Sequence, residues 1–193
     1  MSWPQATTTT RTVQTETGPT SIDVPRGVSV HQMGTGDAYA FRCAQMVRKL
    51  AIGAQFDPYV VNWARSIVSR APEREYDGYC REIRAFLSRY CLFVRDVRDA
   101  DNIDTPAEQL CRIEEAGQTA GDCDDIAALG AGLALCVSCN VRLVLIGFHT
   151  DDAPFEHIYA QCQGETGGRW WDLDVTKPQG MTPPVSRFHV IEV

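Results

Sequence analysis

The chain reads as an α+β protein in which helices come first and an antiparallel sheet follows. Three observations predict this. Between residues 37 and 120, apolar residues recur at helical spacing in separately capped segments. After Gly117 the pattern gives way to one Ala/Gly-rich apolar segment, then to short runs rich in Val, Ile, Leu and Trp. Turn residues, and no crossover helices, separate those runs, so the strands are expected to pair antiparallel. A chain of 193 residues buries a core without metal or disulfide staples.

The elements follow in order. Residues 1–27 are Thr-rich and punctuated by Pro, and Val13-Gln14-Thr15-Glu16 alternates, so this stretch is either an edge strand or a flexible arm. The rest, 28–193, is expected to be one domain, with a helical part at 37–120 and a core at 121–178. The first helix spans 37–54, capped by Asp37, with Phe41, Ala44, Met46, Val47 and Leu50 on its apolar side and Gly53 as its stop. The second starts near Pro58, runs through Val61, Ala64, Ile67 and Val68, and ends before Ala71-Pro72. A third covers 75–93, with Tyr79, Ile83, Phe86, Leu87 and Tyr90 on one side. Thr105-Pro106-Ala107-Glu108 is a capping sequence for a short fourth helix. An apolar helix is expected over 122–139, then strands at 142–148, 156–161, 169–175 and 188–193.

Charge and cysteine content narrow the function. A net charge of −7 disfavours a protein that works by neutralising phosphates, so no nucleic-acid partner is expected. No apolar run reaches the ~20 residues that span a bilayer, and Met1-Ser2-Trp3-Pro4-Gln5 shows no basic and apolar leader. A cytoplasmic protein without membrane contact is therefore expected, and its eight cysteines are expected as reduced, mostly buried thiols. Cys136 and Cys139 form a CxxC pair that lacks a second CxxC or HxxxH, so core packing is its expected role.

The informative stretch is Gly121-Asp122-Cys123-Asp124-Asp125. It puts Cys123 in the first turn of the apolar helix, where unpaired N–H groups favour thiolate. The small residues that follow, from Ala127 to Ala134, are expected to let this helix pack closely on a sheet. A thiol nucleophile needs a base and a group that orients the base. His157 lies on a strand-like alternation, and Asp172 and Asp174 share one face of the next strand. Pairing of those strands brings imidazole and carboxylate together as a Cys–His–Asp set. Glu156 points to the opposite face. Gln118 is a candidate donor, beside the Cys123 N–H, for an oxyanion. Asp122, Asp124 and Asp125 crowd the thiol with negative charge, which opposes ionisation.

These residues, with the small-residue helix, the strand His and Trp170-x-x-Leu173-Asp174-x-Thr176, resemble the transglutaminase-like superfamily, in particular its phage and bacterial cysteine protease group. The resemblance covers about residues 100–178, with Val175 where the family has Pro. It implies a papain-like α+β fold with the nucleophile helix packed on an antiparallel sheet. It implies Cys123 as nucleophile, His157 as base and acid, and Asp174 as orienter, with Asp172 as rival. The implied chemistry runs through a thioester acyl-enzyme that water resolves in a hydrolase and an amine in a crosslinking acyltransferase; a catalytically silent assembly protein of a phage particle is the third reading. Protein or peptide substrates, and phage structural proteins as partners, come with the resemblance. No cofactor is required. Some members of the group bind calcium through acids beside the Cys, which makes Asp122, Asp124 and Asp125 candidate Ca²⁺ ligands, with Asp101, Asp104, Asp151 and Asp152 as conceivable further donors.

Overall fold

The computed structural model describes residues 8–15, 18–25, 36–94, 102–148, 150, 152–164, 168–176 and 185–193. Asp101, Asp151, His31 and His149 lie outside them. The protein is α+β. Strands β1 (Thr8–Thr15) and β2 (Gly18–Pro25) form an antiparallel hairpin. Helices α1 (Gly36–Ala54), α2 (Pro58–Val68) and α3 (Tyr76–Tyr90) precede β3 (Cys91–Phe93) and α4 (Pro106–Ala116). Then come β4 (Thr119–Gly121), α5 (Cys123–Cys136), β5 (Asn140–Phe148), β6 (His157–Gln163), β7 (Trp170–Asp172) and β8 (Val185–Glu192). The four last strands make one sheet in the order β7-β6-β5-β8, antiparallel throughout. No helix among the described residues is long and apolar enough to cross a membrane.

Some expectations need correction. Within the Thr-rich segment, Thr8–Thr15 pairs with Gly18–Pro25 in a two-stranded sheet of its own. The third helix stops at Tyr90. Cys91–Phe93 instead pairs in parallel with Thr119–Gly121, so the helical part of the chain contains a small sheet of its own. Asp37 does not cap α1. It lies in the first turn, and its carboxylate accepts from the Phe155 N–H at 3.1 Å and pairs with Arg187 at 2.5 Å. On α1 the expected Ala44 and Val47 are buried and Phe41 and Leu50 pack against the core, joined by Ala40, Cys43, Ala51 and Ala54. The strands β6 and β8 start or end a few residues from their expected limits, and β7 is shorter than the run that suggested it.

Helix α5 is the hub. From Asp124 to Ala134 every residue is buried, because α1, α2 and α3 cover one part of its circumference and the sheet another. Its glycines make room for other helices and a loop, not for the sheet. A Cβ at Gly130 would lie 3.1 Å from Leu87 of α3, and one at Gly132 would lie 3.0 Å from Ala54 of α1. The sheet covers the rest of the helix with Val141, Leu143, Leu145, Ile158, Ala160 and Cys162. Its other face carries a second apolar cluster, Val144, Ile146 and Phe148. Strand β5 is therefore buried on both faces, which explains its continuous Val/Leu/Ile run.

Candidate functional site

Cys123 occupies the first turn of α5, and the residues around it fix that turn closely. Asp122 is the N-cap, its carboxylate accepting from the Asp124 N–H at 3.2 Å. Asp125 folds back so that its Oδ2 accepts from the Asp122 N–H at 3.1 Å, completing a capping box. Its other oxygen accepts from the Asp104 N–H at 2.7 Å, and its carbonyl accepts from buried Gln109 at 2.8 Å. Arg112 pairs with the Asp104 side chain and holds α4 to the same loop. Gly121 leaves the space this needs: a Cβ there would sit 2.5 Å from Asp125 Oδ2. Asp124 turns inward, where its Oδ2 accepts from the Cys43 thiol at 3.0 Å.

The thiol lies between helix and sheet. Burial and the Asp122 and Asp124 carboxylates push its pKa up, against the N–H of Ile158 and its own N–H, which pull it down. The resting group is therefore a neutral thiol, and the helix start does not outweigh its acidic neighbours. Burial pushes the Asp125 carboxyl up to about 7, with Asp104 and Asp122 adding to the rise.

Ile158 is the residue after His157: its side chain belongs to the core that α5 shares, whereas the imidazole lies on the other face of the strand, with Tyr159 and Phe148. His157 is buried, its ring 5.8 Å from that of Tyr159 and 6.4 Å from that of Phe148, nearly parallel to both. Its Nε2 lies 2.8 Å from Asp174 Oδ2. Register explains the pairing. The Leu173 N–H donates to Ala160 O at 2.9 Å, extending the β6–β7 ladder by one pair and setting Asp174 diagonally across from His157. Thr176 fixes the carboxylate: its N–H and its hydroxyl both donate to Asp174 Oδ1, at 3.0 and 2.7 Å. Burial raises the Asp174 pKa, but the hydrogen bonds from His157 and Thr176 prevail and hold it down at about 2. Nδ1 is the ring nitrogen that Asp174 leaves unused.

The other candidates fall at different distances from this centre. Asp172 is exposed and accepts from Gln161 at 2.5 Å, which separates it from the imidazole. Glu156 is exposed. Gln118 is exposed at the start of β4, the strand that runs into Asp122 and Cys123. Both indoles are half-buried: Trp171 packs on the main core and donates to Asp77, while Trp170 lies under the Arg142 guanidinium. Asp122, Asp124 and Asp125 present carboxylate oxygens within 4.8 Å of one another, because Asp122 precedes the helix in extended conformation and Asp125 folds back to it. Four of the six oxygens accept from protein donors. Asp152 is exposed on a different loop, before β6.

All eight cysteines are free thiols. Cys136 donates to Ala54 O at 3.4 Å, and Cys139 is buried beside Cys80, so the CxxC pair is divided between two packing sites. Sequence reasoning missed three residues of the site. The donor role of Thr176 has a local signal, an Asp followed two residues later by Thr, which is a turn-forming pair. Cys43, which meets Asp124, and the N–H of Ile158, which meets the sulfur, have none, because both contacts join distant parts of the chain.

Comparison of the chain with models of known protein families, with curated proteins and with solved structures gave no match.

Proposed function

We propose that this protein is a cysteine-nucleophile amide or peptide hydrolase on a papain-like, transglutaminase-core fold, with Cys123, His157 and Asp174 as its triad. The observation that carries the reading is the buried His157–Asp174 pair, held by Thr176, on a strand that packs against the helix carrying Cys123. Asp174 fixes the imidazole with Nδ1 as the nitrogen that exchanges the proton. Since the resting thiol is neutral, Cys123 gives its proton to Nδ1 as its sulfur attacks the carboxamide carbon. The carbonyl electron pair moves to oxygen, where the Cys123 N–H and the Gln118 side chain are the proposed donors. Collapse expels the amine, which takes the proton from His157 and leaves a thioester. Water then attacks the thioester, giving one proton to His157, and the acid leaves as the thiol is restored.

The test compares wild type with Cys123→Ala and His157→Ala, using a digest of bacterial and phage structural proteins and mass spectrometry of the products. New peptide termini or Gln-to-Glu conversion in wild type alone support hydrolysis. Incorporation of a labelled primary amine in place of water would reassign the enzyme as an acyltransferase. Products that persist in Cys123→Ala would remove the nucleophile assignment.

A further inference from the structure

We propose that the exposed face of the β3–β4 pair is the substrate-docking strip of this hydrolase, and that it takes a peptide segment with an apolar side chain next to the scissile carbonyl and a basic residue close by. The inference rests on the catalytic reading above and gives its substrate class. Partners in a parallel ladder share a face. Cys91 and Thr119 are paired and buried, their neighbours Leu92 and Ala120 are paired and exposed, and Phe93, which alternation puts on the face of Cys91, is exposed as well. The Val94 N–H donates to Gly121 O at 2.9 Å, which carries the ladder on to Asp122, the residue before Cys123. Leu92 is 47% exposed and Val94 52% exposed. Two aliphatic side chains therefore stand in water on a strip that leads to the nucleophile, and exposed Gln118 lies just before β4. Single exposed apolar residues need no explanation, but a run of them at a nucleophile marks a place where apolar surface is covered in use.

Charge selects the second feature. Asp122 lies at the end of the strip beside the sulfur, and no cationic side chain pairs with it among the described residues. Its neighbour Asp104 is already matched by Arg112. The chain carries a net charge of −7. An acidic segment would meet repulsion here, while a Lys or Arg beside the docked apolar residue would find a counter-charge.

The test uses the full chain and three peptidyl vinyl sulfones, in which the Cys123 sulfur adds to the vinyl carbon and a proton goes to the neighbouring carbon. The probes carry Leu next to the warhead with Lys beyond it, Ser with Lys, and Leu with Glu. Labelling rates of Cys123 are read by mass spectrometry, each divided by the iodoacetamide rate of the same variant. The Leu–Lys probe is expected to label wild type about ten-fold faster than either of the others, the scale of one docked apolar side chain. Leu92→Ser/Val94→Ser is expected to abolish the Leu-over-Ser preference, and Asp122→Asn the Lys-over-Glu preference. Equal rates in wild type, or preferences that survive these substitutions, would overturn the strip while leaving the triad standing. Slow labelling by every reagent would instead sink the catalytic reading. The strip is then judged by fluorescence anisotropy of an unreactive Leu–Lys peptide on Cys123→Ala: binding lost with Leu92→Ser/Val94→Ser supports it, and absent or unaltered binding overturns it.

Discussion

Replacing Asp174 with Asn removes the charge from the His157 partner and keeps an oxygen in its place, so the variant isolates the electrostatic part of the pair. The native carboxyl titrates at about 2 against an ordinary value of 3.8. That difference corresponds to about 2 kcal/mol of stability. The sign follows from the depressed pKa. The contribution is fully present above the unfolded value near 4 and is lost as pH falls through the folded value near 2. Linkage puts the loss between pH 5 and pH 3 at about 1 kcal/mol, with the rest lost below pH 3. Urea unfolding of wild type and Asp174→Asn at pH 5 and at pH 3 measures it. The gap between the two proteins is expected to be about 2 kcal/mol at pH 5 and to shrink by about half at pH 3. A gap that does not change with pH would refute the charge coupling between Asp174 and His157, and with it the view that the carboxylate orients the base through an ion-assisted bond.

Other expectations concern the turn that carries the nucleophile. Asp122→Asn keeps a capping oxygen but removes a charge that raises the Cys123 pKa, so iodoacetamide alkylation of Cys123 at neutral pH should accelerate, and a rate unchanged or slower would contradict the electrostatics. Gly121→Ala drives a Cβ into the Asp125 carboxylate, and a melting curve should show a destabilisation of about 1–3 kcal/mol; wild-type stability would mean the turn has slack. Added calcium should leave the melting temperature where EDTA leaves it, because Asp122, Asp124 and Asp125 are engaged by protein donors, and a calcium-dependent rise would restore them as ligands.

Local signals made much of the fold legible. Thr105 and Glu108 announce the start of α4, and the box they predict is present: the Glu108 N–H donates to Thr105 Oγ1 at 3.2 Å, and the Thr105 N–H donates to Glu108 Oε2 at 2.9 Å. The apolar run after Asp122 announces α5, although the helix ends at Cys136 and not at 139, where Val137 and Ser138 leave helical geometry and Ser138 takes a φ of 63°. A continuous Val/Leu/Ile run located β5, and alternation located β6 and β7, since side-chain direction in a strand depends only on position along it. The shared face of Asp172 and Asp174 was legible for the same reason.

What the sequence by itself determined, then, is the set of chemically able side chains and the kind of element each one stands on, because capping and periodicity act within a few residues. Which carboxylate meets the imidazole was decided only by the tertiary structure, through a register that sets Asp174 diagonal to His157 and gives Asp172 to Gln161. The short parallel pair of β3 with β4 and the turning of Asp124 onto Cys43 were likewise settled only by folding. The reason is physical: these contacts join segments from 11 to 81 residues apart, beyond the reach of any local preference, so only strand register and the packing around α5 bring the partners together.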